Sequence, residues 1–133
     1  MNRLFRLFFL LLLPAACNSL AAQADTSFQL LKKIPGTFVD FTVDGMDNVY
    51  VLTDRNRLVK YNAAGDSVAA YNDVRRFGQV SSMDASNPLR ILLYYRDYAT
   101  IVILDRFLNT RNIIDLRKQQ IFQVKAVGQS YDN

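Results

Sequence analysis

All 12 acidic residues of this 133-residue chain are Asp, and Glu is absent. Glu sits well in helices; Asp and Asn, whose short side chains compete for nearby backbone groups, favour turns. Surface helices therefore have little to be built from. Tyr, Phe, Val, Ile and Thr fall instead in short runs of strand length, separated by Asp, Asn and Gly. The chain reads as all-β, and its length suits one domain. The residues it lacks are equally restrictive. There is no His and no Trp, and Cys17 is the one cysteine. A Ser-His-Asp or Cys-His centre has no members here, and zinc ribbons, iron–sulfur clusters and an internal disulfide are excluded.

Residues 1–24 stand apart from the fold. Arg3 and Arg6 precede the apolar run from Leu7 to Leu13, Pro14 ends it, and small residues lead to Ala22-Gln23-Ala24 before Asp25. Charge, apolar run and small-residue site in that order make a secretory signal peptide, and the run is shorter than the ~20 residues that span a bilayer. Ser19-Leu20-Ala21 offers a second cleavage site. Leu13-Pro14-Ala15-Ala16-Cys17 resembles a lipobox, with Pro14 where lipoproteins carry Leu. The expected location is the periplasm or cell surface, with membrane association only through lipidation of Cys17. The net charge of +4 shrinks further without Arg3 and Arg6, too little to point to nucleic acid. Arg75-Arg76, the strongest basic cluster, reads as a solvated turn.

A lead-in, residues 25–37, precedes two groups of strands. The first has strands at 38–43, 49–53, 57–61 and 67–71, with turns at Asp44–Asn48, Asp54–Asn56 and Asn62–Asp66. Gly65 suits a positive φ in the last of these. The second has strands at 80–84, 90–95, 100–104 and 111–116, with a loop at Ala85–Pro88 and turns at Arg96–Tyr98 and Asp105–Asn109. Near-continuous hydrophobicity in 90–95 and 100–104 implies burial on both faces, as in stacked sheets.

The groups repeat. Val43-Asp44 returns 40 residues on as Met83-Asp84, Tyr61-Asn62 returns 43 on as Leu104-Asp105, and Asp47-Asn48 returns as Asp132-Asn133. Four strands per unit at this period are the mark of a β-propeller blade. The expected domain is residues 38–133: blades at about 38–74 and 80–118, and the start of a third at 121–133. About two and a half four-stranded antiparallel blades do not close a ring, so the sequence reads as a piece of a longer propeller.

Asp44-Gly45-Met46-Asp47-Asn48-Val49-Tyr50-Val51 and the turn Asn62-Ala63-Ala64-Gly65-Asp66 resemble the blade pattern of secreted NHL-like and gluconolactonase-like propellers. The less regular stretch from Asn87 to Leu116 is similar to blades of uncharacterised Bacteroidetes-type exported proteins. The resemblance implies the architecture and is nearly silent on activity. Gluconolactonase-like enzymes place metal ligands around the central channel, where Asp84 and Asn87 fall, and use a Glu that this chain lacks; no ligand is assigned.

Asp44, Asp47 and Asn48 lack the spacing of a calcium loop and read as a hairpin turn. No catalytic, cofactor-binding or metal residue is assigned, and no cofactor is expected. Tyr94, Tyr95, Arg96 and Tyr98 surround one turn and form a possible interaction surface, since Tyr and Arg are enriched at interface hot spots; Tyr packs equally well in a strand. The expected function is an exported propeller-type scaffold that binds a protein or small-molecule ligand. The alternative is a metal-dependent hydrolase, lactonase or lyase propeller with its active-site residues in other blades.

Overall fold

A computed structural model describes Leu30 and residues 32–130. The signal segment, Cys17 and Tyr131-Asp132-Asn133 lie outside the described residues. In chain order the elements are β1 (Phe38–Val43), β2 (Val49–Thr53), β3 (Leu58–Tyr61), β4 (Ser67–Tyr71), a one-turn helix α1 (Val74–Phe77), β5 (Ser82–Asn87), β6 (Arg90–Tyr95), β7 (Thr100–Leu104) and β8 (Thr110–Asp115). They form two four-stranded antiparallel sheets, β1-β2-β3-β4 and β5-β6-β7-β8, neither of them closed.

One turn design recurs at the hairpins. In the turns starting at Asp44, Thr53, Asn62 and Asp105, the first N–H donates to the fifth carbonyl at 2.9–3.0 Å and the fourth N–H donates to the first carbonyl. The first side chain accepts from the fifth N–H: Asp44 Oδ1 from Asn48 (3.0 Å), Thr53 Oγ1 from Arg57 (3.0 Å), Asn62 Oδ1 from Asp66 (2.8 Å) and Asp105 Oδ1 from Asn109 (2.9 Å). The fourth residue takes a positive φ: Asp47 59°, Asn56 58°, Gly65 75° and Leu108 63°. This is the three-residue hairpin loop with a left-handed fourth residue, and Asx-type side chains stabilise it locally. Leu108 is the outlier, because a left-handed Leu costs about 1–2 kcal/mol. Its side chain is buried in the core, a gain of about 1.5–3 kcal/mol that outweighs the strain.

Three places differ from the sequence expectation. β5 runs on through Asn87 instead of breaking into a loop at 85–88; Asp84 Oδ1 accepts the Ser86 N–H (2.8 Å), and a register shift between Asp84 and Asn87 absorbs the irregularity. Arg75 and Arg76 are exposed, as expected of a solvated turn, but the turn is the helical α1, closed by Gly78 N–H to the Val74 carbonyl (2.9 Å). Residues 121–130 form no strand. The segment is held instead by Gln129, whose N–H donates to Asp84 Oδ2 (2.9 Å) and whose Nε2 donates to the Arg90 carbonyl (2.8 Å).

The two sheets run in the same direction. At one end the side chain of Asn56, in the β2–β3 turn, donates from Nδ2 to the Gly78 carbonyl (2.8 Å) and accepts at Oδ1 from Val80 N–H (2.8 Å). Ser81 follows, its N–H donating to the Tyr94 carbonyl (2.8 Å) and its Oγ accepting from Arg96 N–H (3.2 Å). The β2–β3 and β6–β7 turns therefore share that end. At the other end Lys60 Nζ, buried and 5.3 Å from the Tyr50 ring centroid, donates to the Arg106 carbonyl of the β7–β8 turn (3.1 Å). β1 lies beside β5. First strands are neighbours, and corresponding turns lie at corresponding ends.

Alternation along the strands sends one set of side chains between the sheets. Tyr50, Leu52 and Leu58 from the first meet Ile91, Leu93, Tyr95, Val102 and Leu104 from the second, with Phe77 of α1 and Leu108 between them. The Phe77 and Tyr95 rings lie 5.3 Å apart, tilted at 44°. Asn56→Ala strands two backbone groups at about 1–3 kcal/mol each and puts Ala in a left-handed conformation. Urea unfolding of this variant should show a loss of at least about 2 kcal/mol; an unchanged midpoint would contradict the clamp.

Candidate functional site

The end of the sheets that Asn56 organises carries a polar cleft of about 300 Å³. β1 contributes Asp40, the β2–β3 turn Thr53 and Asp54, and the linker into β5 Gln79 and Ser81, with Asn56 beneath. These positions follow from local chemistry. Thr53 is held by its own turn, its Oγ1 donating to the Arg57 carbonyl (3.2 Å). Asp54 N–H donates to the Thr37 carbonyl (3.2 Å), which fixes the turn against the start of β1. Asp40 Oδ1 accepts from Phe41 N–H (2.8 Å), leaving its second oxygen toward solvent. Gln79 and Ser81 flank Val80, whose backbone the Asn56 clamp holds. The result is a fixed array of carboxylate, hydroxyl and amide groups on rigid backbone, suited to hydrogen-bonding a hydroxylated or amide-bearing ligand.

The four residues named from the sequence separate in the structure. Arg96 and Tyr98 are exposed in the β6–β7 turn at this same end; Arg96 is bonded through its N–H to Ser81, and Tyr98 borders Gly78. Tyr94 and Tyr95 are both buried. Being consecutive in a strand, they point to opposite faces, Tyr95 into the core and Tyr94 away from it. The Tyr95 hydroxyl joins a network with Tyr71, Thr110 and Asp73; burial, then Tyr71, pushes its ionisation well above the ordinary range. The surface thus keeps Arg96 and Tyr98, while Tyr94 and Tyr95 serve packing. Asp40, Asp54, Gln79 and Ser81 were missed, because no local pattern in the sequence reveals that a turn and a linker far apart in the chain converge.

The opposite end holds the acidic turns, and here the carboxylates are consumed by structure. Asp44 is buried; its Oδ1 accepts from Met46 and Asn48 N–H, and its Oδ2 from Asn48 Nδ2 (2.8 Å) and the Tyr50 hydroxyl (3.0 Å). Burial pushes its carboxyl up, but the bonds from Asn48, Met46 and Tyr50 outweigh it and hold the pKa below the ordinary value. Asp84 is held low in the same way, by Ser86 and Gln129 against burial. Asp105 is held low by Asn109 N–H first, with Phe107 N–H, Asn109 Nδ2 and Arg111 adding. Asn87 closes the β5–β6 hairpin through Oδ1 and Leu89 N–H (3.0 Å). Asp44, Asp84 and Asn87 thus have structural duties, and among the described residues no cluster of three or more His, Cys, Asp or Glu side chains forms a metal site.

A larger cleft of about 640 Å³ lies between Ile101 and Leu116 and the irregular segment 121–128. Its walls are mainly apolar, with Gln123 and Lys125 at the rim, and it lacks the convergent polar groups of the Asn56 end. The sequence matches no protein-family profile and no curated protein.

A carboxylate with a lowered pKa stabilises the fold fully above its ordinary value, 3.8 for Asp44, and loses that contribution as pH falls through the lowered one. The urea midpoint should therefore hold steady down to about pH 5 and fall below about pH 4. Asp44→Asn should give a shallower fall, with Asp84 and Asp105 supplying the remainder. Identical acid limbs in the two proteins would contradict the bonding at Asp44.

Proposed function

We propose that the chain is an exported, propeller-type binding module whose ligand site is the polar cleft formed by Asp40, Thr53, Asp54, Gln79 and Ser81. The carrying observation is that the Asn56 clamp and the Ser81 bonds fix these groups at the junction of two sheets that run in the same direction. Two like meanders with adjacent first strands are what consecutive blades look like, and the cleft opens beside those first strands, the position that faces a propeller's channel. Export rests on the order of charge, apolar run and small residues in 1–24.

The chemistry favours a neutral hydroxylated ligand. Asp40 and Asp54 accept from hydroxyls, Gln79 and Ser81 both donate and accept, and the half-exposed Tyr98 ring beside Gly78, at the same end of the sheets, offers a flat apolar face. NMR titration with a series of neutral oligosaccharides tests this. Amide shifts should concentrate at Asp40, Asp54, Gln79, Ser81, Arg96 and Tyr98, and Asp54→Ala should weaken binding by roughly tenfold, as loss of a charged hydrogen-bond partner does. Shifts that are absent, or that gather elsewhere, would overturn the assignment.

A further inference from the structure

Lys60 is the one buried cation among the described residues, at 8% exposure. A buried charge is costly unless an opposite charge or several hydrogen bonds meet it. Here the partners are neutral: the Arg106 carbonyl at 3.1 Å and the face of the Tyr50 ring at 5.3 Å. The carboxylates nearest in the fold are committed elsewhere. Asp105 pairs with Arg111 (3.1 Å) and Asp66 with Lys32 (2.8 Å), while Asp44 takes the Tyr50 hydroxyl and the N–H groups of its own turn. Among the described residues, neither Lys60 nor Arg106 has a carboxylate partner.

The ammonium borders open space. The core-facing row across the first sheet runs Thr42, Tyr50, Lys60, Ala69. Ala69, on the edge strand β4, is too short to cover its neighbour, and a cleft of about 390 Å³ lies there, within the range of small-molecule sites. Lys60 forms its floor, and the exposed Val68, Arg106 and Phe107 form its mouth. Nζ carries three N–H groups, and the Arg106 carbonyl takes one. Asn62 Oδ1 accepts from Asp66 N–H (2.8 Å), which leaves its Nδ2 to donate into the cleft it lines. The Arg106 guanidinium, 4.6 Å from the Phe107 ring centroid, adds a second positive charge at the mouth. Asn48 contributes no donor, because its Nδ2 is bonded to both Asp44 oxygens (3.1 and 2.8 Å). The remaining walls, Val68, Ala69 and Phe107, are apolar.

We infer that this cleft binds a small organic carboxylate, whose oxygens meet Lys60 Nζ, Asn62 Nδ2 and the Arg106 guanidinium while its carbon chain lies against Val68, Ala69 and Phe107. The carboxylate supplies the counter-charge that the buried ammonium lacks, through charge-assisted bonds stronger than neutral ones. An inorganic anion leaves the apolar walls unused, and a neutral ligand leaves the charge unmet. The site lies at the opposite end of the sheets from the Asn56 cleft and makes no use of the oligosaccharide reading.

NMR titration of the protein with hexanoate, hexanamide and inorganic phosphate tests it. Hexanoate should shift the amides of Asn62, Val68, Ala69, Arg106 and Phe107, and hexanamide and phosphate should each bind at least about tenfold more weakly. Lys60→Met keeps the stem of the side chain and removes its charge; hexanoate affinity should fall by about tenfold or more. Arg106→Gln, at an exposed position, should also weaken binding and leave the urea midpoint unchanged. Ala69→Leu fills the cleft but keeps the Lys60 bond to the Arg106 carbonyl, so the hexanoate shifts should vanish while the fold persists. Equal affinity for hexanamide would reduce the site to an apolar groove, and equal affinity for phosphate would make it a general anion site; either overturns the inference. So would shifts that are absent at high millimolar hexanoate or gather elsewhere, or a hexanoate affinity unchanged in both Lys60→Met and Arg106→Gln.

Discussion

The arrangement of this molecule depends on one buried amide. Asn56 adopts a left-handed conformation that closes the β2–β3 hairpin, and its side chain then satisfies both a carbonyl and an N–H of the linker that leaves α1. Few residues do both; Asn tolerates the positive φ and carries a donor and an acceptor on one short side chain. The consequence is directional. With Gly78 and Val80 tied to the end of the first sheet, β5 has to start there and run parallel to β1. The second meander then repeats the first instead of mirroring it. The polar cleft and the position of Arg96 both descend from that restriction.

Asn56 is also one member of a family of turns. The side chain that opens each five-residue turn accepts from the residue that closes it, so Asp, Asn and Thr at those positions each hold the local backbone. This is the use the chain finds for its Asp-rich, Glu-free composition. The buried Asp44, bonded to Tyr50, shows how far the substitution goes: a group with the look of a ligand is fully occupied in holding its own hairpin. Lys60 supplies the counterpart at the far end, where a buried ammonium links the first sheet to the β7–β8 turn across the interface.

Strand positions were legible in the sequence because each is a short apolar run between turn residues, and seven of the eight begin and end within a residue of the pattern's edge. β5 was the exception, since Ala85-Ser86-Asn87 has the composition of a loop and only a bulge at Asp84 keeps it in the sheet. α1 was hidden by its brevity. The candidate surface was half legible: adjacency in sequence put Tyr94 and Tyr95 beside Arg96 and Tyr98, but the two-residue period of a strand buries the first pair on opposite faces. The cleft was not legible at all, because Asp40, Asp54 and Gln79 meet only through the Asn56 clamp. Long-range hydrogen bonds leave no local signature.

The central claim is that the two sheets are related by a rotation that keeps strand direction. Nuclear Overhauser contacts across the interface test it most directly. The account predicts cross-peaks from the Lys60 side chain to the Arg106–Phe107 backbone at one end, together with cross-peaks from the Asn56 side-chain amide to Gly78 and Val80 at the other. Cross-peaks from Lys60 to the Arg96–Ala99 turn instead would place that turn at the Lys60 end, reverse the second sheet, and contradict the account.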